Sequence, residues 1–152
     1  MRIGAVAAVV FVLDWLSKHW ITAHLLPGAN IPVIPGFFSL TLVQNAGAAF
    51  GLLQNQTLLF VVIAVVVIAL ILTYGRQAAK DRPWLGVAFG LQLGGALGNL
   101  VDRVLQGTVV DFLDFHVWPF VFNLADASIV IGGALFAYLI WGDSESSGEG
   151  RR

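Results

Sequence analysis

The stretch from Thr57 to Tyr74, "TLLFVVIAVVVIALILTY", runs for eighteen residues without a charge. As a helix it reaches about 27 Å, close to the roughly 30 Å hydrocarbon core of a bilayer. A run of this kind dictates a membrane-spanning helix, whose backbone polar groups bond within the segment. Three further apolar blocks, at about 3–22, 84–103 and 123–141, read the same way. Composition agrees, with 11% charged residues where a soluble domain has about 25%. The expected fold class is an all-α membrane protein with four transmembrane helices. The expected organisation is a single integral membrane domain over 1–142, with outer loops at about 23–56 and 104–122. The Gly/Ser-rich stretch 143–152 reads as a disordered tail. Met1, Arg2 and the apolar run Ile3–Leu13 resemble a short signal peptide, but Asp14 and Lys18 follow with no small-residue cleavage site. A retained first span is therefore expected.

Positive charge orients the spans. Arg2 precedes the first, and Arg76, Lys80 and Arg82 fill the short link between the second and third. Arg151 and Arg152 close the chain, whereas the loops His24–Gln56 and Val104–Phe122 contain no Lys or Arg. The positive-inside rule then places both termini and the short link in the cytoplasm. Trp20, Trp84, Trp118 and Trp141 fall near the span ends, as an aromatic belt requires. In the first outer loop, "NIPVIPGFFSLTLVQN" alternates between Pro and Gly signals and reads as short strands at the membrane surface. "AGAAFGLLQN" reads as a short helical turn.

The polar residues gather at the outer end of these spans. Asp14 lies about 18 Å up the first helix, with Lys18 one turn further on the same face. Asn99, Asp102 and Arg103 close the third span, and Asn123 and Asp126 open the fourth. Asn45 and Asp111 stand in the two outer loops. Each has an ordinary structural explanation. Asn123 with Asp126 forms a capping-box spacing, Asp14 with Lys18 an i,i+4 ion pair, and Asp102 and Arg103 are ordinary as snorkelling interfacial charges. Their convergence from three helices and two loops is harder to explain that way, because intramembrane ionisable groups are costly and usually functional. Gly90, Gly94, Gly95 and Gly98 favour close helix packing over a substrate groove.

The available chemistry is limited. A net charge of −1 with no basic patch argues against nucleic acid, and without cysteine there is no thiol nucleophile or disulfide. Ser17, Ser39 and Ser128 lack any nucleophile motif, and His19, His24 and His116 show no matching spacing. Asp111, Asp114 and His116 in "DFLDFH" are conceivable metal ligands, although strand alternation sends Asp111 and Asp114 to opposite faces. An ion pathway through Asp14, Asp102 and Asp126 would need ionisable groups at several depths. The second span has none, and the third has only Gln92 near its middle. Two aspartates across a water provide an alternative. At close range one carboxyl keeps its proton while the other accepts one, so the pair can hydrolyse an amide without metal, serine or cysteine.

Five motifs then stand in order: "DWLSK" (Asp14–Lys18), "NAGAAFG" (Asn45–Gly51), "GGALGNLVDR" (Gly94–Arg103), "VVDF" (Val109–Phe112) and "FNLAD" (Phe122–Asp126). Together, on four spans, they resemble the lipoprotein signal peptidase family, also called signal peptidase II. The resemblance implies an aspartic intramembrane endopeptidase of the bacterial inner membrane with a surface β-sheet cradle. It implies a diacylglyceryl-modified prolipoprotein as substrate, cut N-terminal to the lipidated cysteine. It implies Asp111 and Asp126 as the catalytic pair, with Asn45, Asn99, Arg103 and Asn123 near the substrate. Asp14, Lys18, Asp102 and Gly47 fall in supporting positions. Membrane lipids are expected partners, with no cofactor or metal and a monomeric state. The chain departs from the family at Phe120, a common proline position, with Pro119 one residue earlier.

Overall fold

The computed structural model describes residues 2–47 and 55–149. Its elements are α1 (Arg2–His24), β1 (Asn30–Ile34), β2 (Phe38–Asn45), α2 (Thr57–Leu70), a π-helical stretch (Ile71–Gly75), α3 (Arg76–Ala78), α4 (Pro83–Gln106), β3 (Val109–Phe115) and α5 (Leu124–Glu149). Among the described residues, four helical spans are long and apolar enough to cross a membrane: Arg2–His24, Thr57–Ala78, Pro83–Gln106 and Leu124–Trp141. The second runs unbroken from α2 through the π-helical stretch into α3. The helical turn expected in "AGAAFGLLQN" lies largely outside the described residues.

Local chemistry sets the helix ends. Pro83 opens α4 at its first turn, where a missing N–H costs nothing. Gly107 closes α4 at φ 75°, and its N–H donates to the Arg103 carbonyl at 3.0 Å. That left-handed position favours glycine. The α5 backbone stays helical to Glu149, so the stretch from 143, expected to be unstructured, is helical that far. A helix already nucleated in the apolar span gains one bond per added residue, and no proline interrupts it.

The centre of the bundle is α4, with α1 and α5 packed on it and α2 against it more lightly. Its glycines make this possible. Gly90 meets Val6, Gly94 meets Val10 and the Ala7 carbonyl, and Gly95 meets Ile129 and the Ala125 carbonyl. A Cβ at Gly94 would lie 2.6 Å from the Ala7 oxygen. The face is therefore occupied by neighbouring helices, as close packing requires. By contrast, α2 buries no residue. Its exposed Val62, Ile63, Val65 and Val66 form the lipid-facing surface of a spanning helix.

The sheet is three-stranded and antiparallel, in the order β1-β2-β3. Its third strand comes from the segment between α4 and α5, so the sheet joins that segment to the one between α1 and α2. Val110 and Phe112 of β3 and Leu42 of β2 pack on Ile21 of α1 and on Leu25 just beyond it. Thr57 Oγ1 also donates to the Gly107 carbonyl at 2.9 Å, tying the start of α2 to the end of α4. One end of the bundle therefore collects the end of α1, the start of α2, the end of α4, the start of α5 and the sheet.

Candidate active site

Asp14, Lys18, Asn45, Asn99, Asp102, Arg103, Asp111, Asn123 and Asp126 are all placed at this end. With Val110 and Phe112 turned toward α1, strand alternation points Asp111 the other way, toward α4 and α5. Its carboxylate is 1% exposed. Asn45 Nδ2 donates to Asp111 Oδ2 at 2.8 Å, and Asn123 Nδ2 donates to Oδ1 at 2.6 Å. A β-bulge makes the first contact possible. Leu40 pairs with Leu113 but Val43 pairs with Asp111, so β2 carries one extra residue. Without it the register would place Asn45 on the opposite face, since a one-residue slip exchanges faces.

Asn123 caps α5. Its Oδ1 accepts the Asp126 N–H at 2.9 Å, and its own N–H points at Asp126 Oδ2 at 3.4 Å. This is the reciprocal capping box expected from the spacing. The cap also serves the site, because the same amide donates to Asp111. Asn123 is fully buried and joins β3 to the turn of α5 that bears Asp126. Asn99 Nδ2 from α4 donates to Asp126 Oδ1 at 2.7 Å.

Behind these groups lies a buried cation. Lys18 Nζ is 2.7 Å from Asp14 Oδ2 and 2.8 Å from Asp102 Oδ2, and it donates to Asn99 Oδ1 at 3.1 Å. The ammonium is thus paired with two carboxylates and hydrogen-bonded to one amide oxygen. The expected Asp14–Lys18 pair is present, but it belongs to a larger cluster reaching α4. Asp14 Oδ1 also accepts the Ala125 N–H at 2.9 Å. Gly98 admits this approach, since a Cβ there would collide with Asp14 Oδ2. Asp102 and Arg103, expected as snorkelling interfacial charges, take different surroundings. Asp102 is buried against Lys18. Arg103 reaches the Gly47 and Asn99 carbonyls at 3.4 Å each and lies 4.8 Å over the Phe60 ring.

Burial pushes the Asp111 carboxyl up, and the nearby Asp126 charge pushes it further, to about 7. The Asn45 and Asn123 donors and Lys18 pull it down, but less strongly. Four carboxylates here face two cations, Lys18 and Arg103. Retaining one proton between Asp111 and Asp126 relieves the excess negative charge. Asp126 is half-buried where Asp111 is closed off, so it is the more accessible member of the pair.

The alternative ligand set does not assemble. Asp111 turns to Asn45 and Asn123, whereas Asp114 Oδ2 accepts from Thr41 at 2.7 Å and His116 Nε2 lies 3.0 Å from Ser39 Oγ. Among the described residues no three His, Asp or Glu side chains are grouped to hold a metal ion. The Ser39–His116 contact has no counterpart in the sequence reading. Ser39 is buried, and among the described residues no carboxylate orients the ring, so the arrangement lacks the third member of a triad. Phe60 and Gly98 were also missed as contributors. Phe60 lies one turn inside the start of α2, at the depth of Arg103, and that placement is its only signal.

The sequence model described as signal peptidase (SPase) II matches residues 6–141. A lipoprotein signal peptidase of Moorella thermoacetica is 52% identical over 126 residues, covering 83% of each chain. One of Pelotomaculum thermopropionicum is 45% identical over 152 residues, covering 100% of this chain and 99% of the relative. A solved structure of a bacterial membrane enzyme aligns with a TM-score of 0.89 at 33% identity, covering 93% of this chain and 88% of the other.

Proposed function

This chain belongs to the signal peptidase II family of proteases, and from that premise we propose that it removes signal peptides from prolipoproteins through an aspartate pair, Asp111 and Asp126. The single observation that carries this reading is Asn123, which holds Asp111 with its amide nitrogen and the Asp126 backbone with its oxygen. A water between the carboxyls loses a proton to the ionised member, and its oxygen adds to the scissile carbonyl. The protonated member donates to the carbonyl oxygen. Collapse of the tetrahedral intermediate breaks the C–N bond, and the amine leaves with a proton returned from the pair. The bond cut is the one on the N-terminal side of a cysteine carrying a diacylglyceryl group.

Several features support this substrate. The carboxylates lie at one end of the spans, where an acylated cysteine would meet the headgroups, and the exposed apolar faces of α2 and α5 offer lipid-side access to a signal helix. Asn45, Asn99, Arg103 and Asn123 line the approach, with Asp14, Lys18, Asp102 and Gly47 supporting them. The sheet end faces outward across the bacterial inner membrane, both termini face the cytoplasm, and the protein acts as a monomer over 1–142. The test is cleavage of a lipidated prolipoprotein by Asp111→Asn, Asp126→Asn and Asp114→Asn. The first two should insert, fold and lose cleavage, while the third stays active. Near-normal cleavage by either of the first two would sink the assignment. Loss with Asp114→Asn, together with sensitivity to chelator, would return the metal reading.

A further inference from the structure

A second feature lies at the opposite end of the bundle. A cavity of about 1010 Å³ opens between the start of α1, the π-helical stretch, α3 and the start of α4. Arg2, Arg76 and Lys80 line its rim, and Ile3, Ile71 and Leu72 continue it toward the membrane interior. The three cations are exposed, and among the described residues none has an ion-pair partner, whereas Lys18 has two. Asp81 also lines the cavity, leaving the rim with a net positive charge. A cationic rim above an apolar wall matches a molecule with an anionic head and hydrocarbon tails. Basic pockets between spanning helices take anionic headgroups, and π-helical turns recur at functional sites.

We propose that this cavity holds one anionic phospholipid, with its phosphate among Arg2, Arg76 and Lys80 and its acyl chains along Ile3, Ile71 and Leu72. The site is independent of the peptidase reading, and none of its residues touches the carboxylate cluster. Positive charge at this end would also arise from the orientation rule alone, and that explanation predicts no dedicated, cavity-dependent site.

The test is native mass spectrometry of the full chain in detergent, titrated with phosphatidylglycerol and with phosphatidylcholine of the same chains. One phosphatidylglycerol should be retained at least tenfold more tightly than phosphatidylcholine. Arg76→Gln with Lys80→Gln should weaken it about 25-fold, taking roughly fivefold for each cation near an anionic lipid. Arg151→Gln with Arg152→Gln, removing the same charge elsewhere in the sequence, should leave it unchanged. Gly4→Leu tests the cavity with every cation in place. Gly4 lines the cavity and a Cβ there meets nothing within 4 Å, so the added side chain starts without a clash, and with the wild-type unfolding midpoint kept the lipid should be lost. Equal retention of the two lipids, or wild-type retention by either cavity variant, overturns the proposal. Displacement by inorganic phosphate alone would assign the rim to a free anion and overturn it as well. Prolipoprotein cleavage by the variants should remain at the wild-type level.

Discussion

Replacing Asn123 by serine or by alanine separates its two roles. Serine keeps a short side-chain oxygen that can accept the Asp126 N–H, now held by Asn123 at 2.9 Å, but it removes the nitrogen that donates to Asp111 at 2.6 Å. Alanine removes both. Loss of the cap costs about 1 kcal/mol, which lowers the unfolding midpoint by about 2–4 °C in a chain of this size. The amide–carboxylate bond is charge-assisted and contributes about 1.5–3 kcal/mol. If that bond holds Asp111 in its reactive position, its loss lowers kcat/KM by about 10-fold to about 150-fold. It also removes a donor from the charged form, so the Asp111 carboxyl moves still higher than about 7. The assays are thermal unfolding in detergent and steady-state cleavage of a lipidated prolipoprotein. Asn123→Ala should lose stability and activity, and Asn123→Ser should lose activity with most of its stability kept. A serine variant with more than half of wild-type kcat/KM refutes the role of the donor. A serine variant as unstable as alanine refutes the cap.

Three further outcomes follow from the geometry. With the Asp111 carboxyl raised to about 7, the proton held by the pair should be lost as the pH rises through that range, and kcat/KM should fall about tenfold per unit on the alkaline side; a profile flat to pH 9 counts against a shared proton. Gly94→Ala drives a Cβ toward the Ala7 carbonyl and should cost about 1–3 kcal/mol in unfolding experiments, while Gly133→Ala, with open space around it, should be nearly neutral. Lys18→Met strands the Asp14 and Asp102 carboxylates and should cost about 3–5 kcal/mol; adding Asp14→Asn and Asp102→Asn should restore much of the expressed, folded protein, and a failure to do so would argue against an electrostatic origin.

The spans were legible because the bilayer imposes length and polarity on every segment that crosses it. The candidate site was partly legible for the same reason, since a carboxylate near lipid stands out where one on a soluble surface would not. What stayed hidden was pairing across the chain. Lys18 to Asn99 spans 81 residues, and no local spacing marks it. The strand-like run at Val109–Phe115 was visible, but its registry on β2, and the bulge that brings Asn45 to Asp111, depend on packing against α1. The glycines of α4 read as packing positions, but the need for Gly98 beneath Asp14 appears only once three helices are in place.

Asn99 carries one more consequence. Its oxygen is held by Lys18 at 3.1 Å and by Asn123 at 3.2 Å, so its nitrogen has to face Asp126. Oxygen and nitrogen of an amide exchange places by a half-turn about one terminal bond, and the partners alone decide between the two orientations. Loss of the ammonium would remove one of the two donors that forbid that half-turn. Asp126 would then meet a carbonyl lone pair in place of an N–H. Activity could therefore vanish while every helix stayed where it was, silenced by the rotation of a single carboxamide.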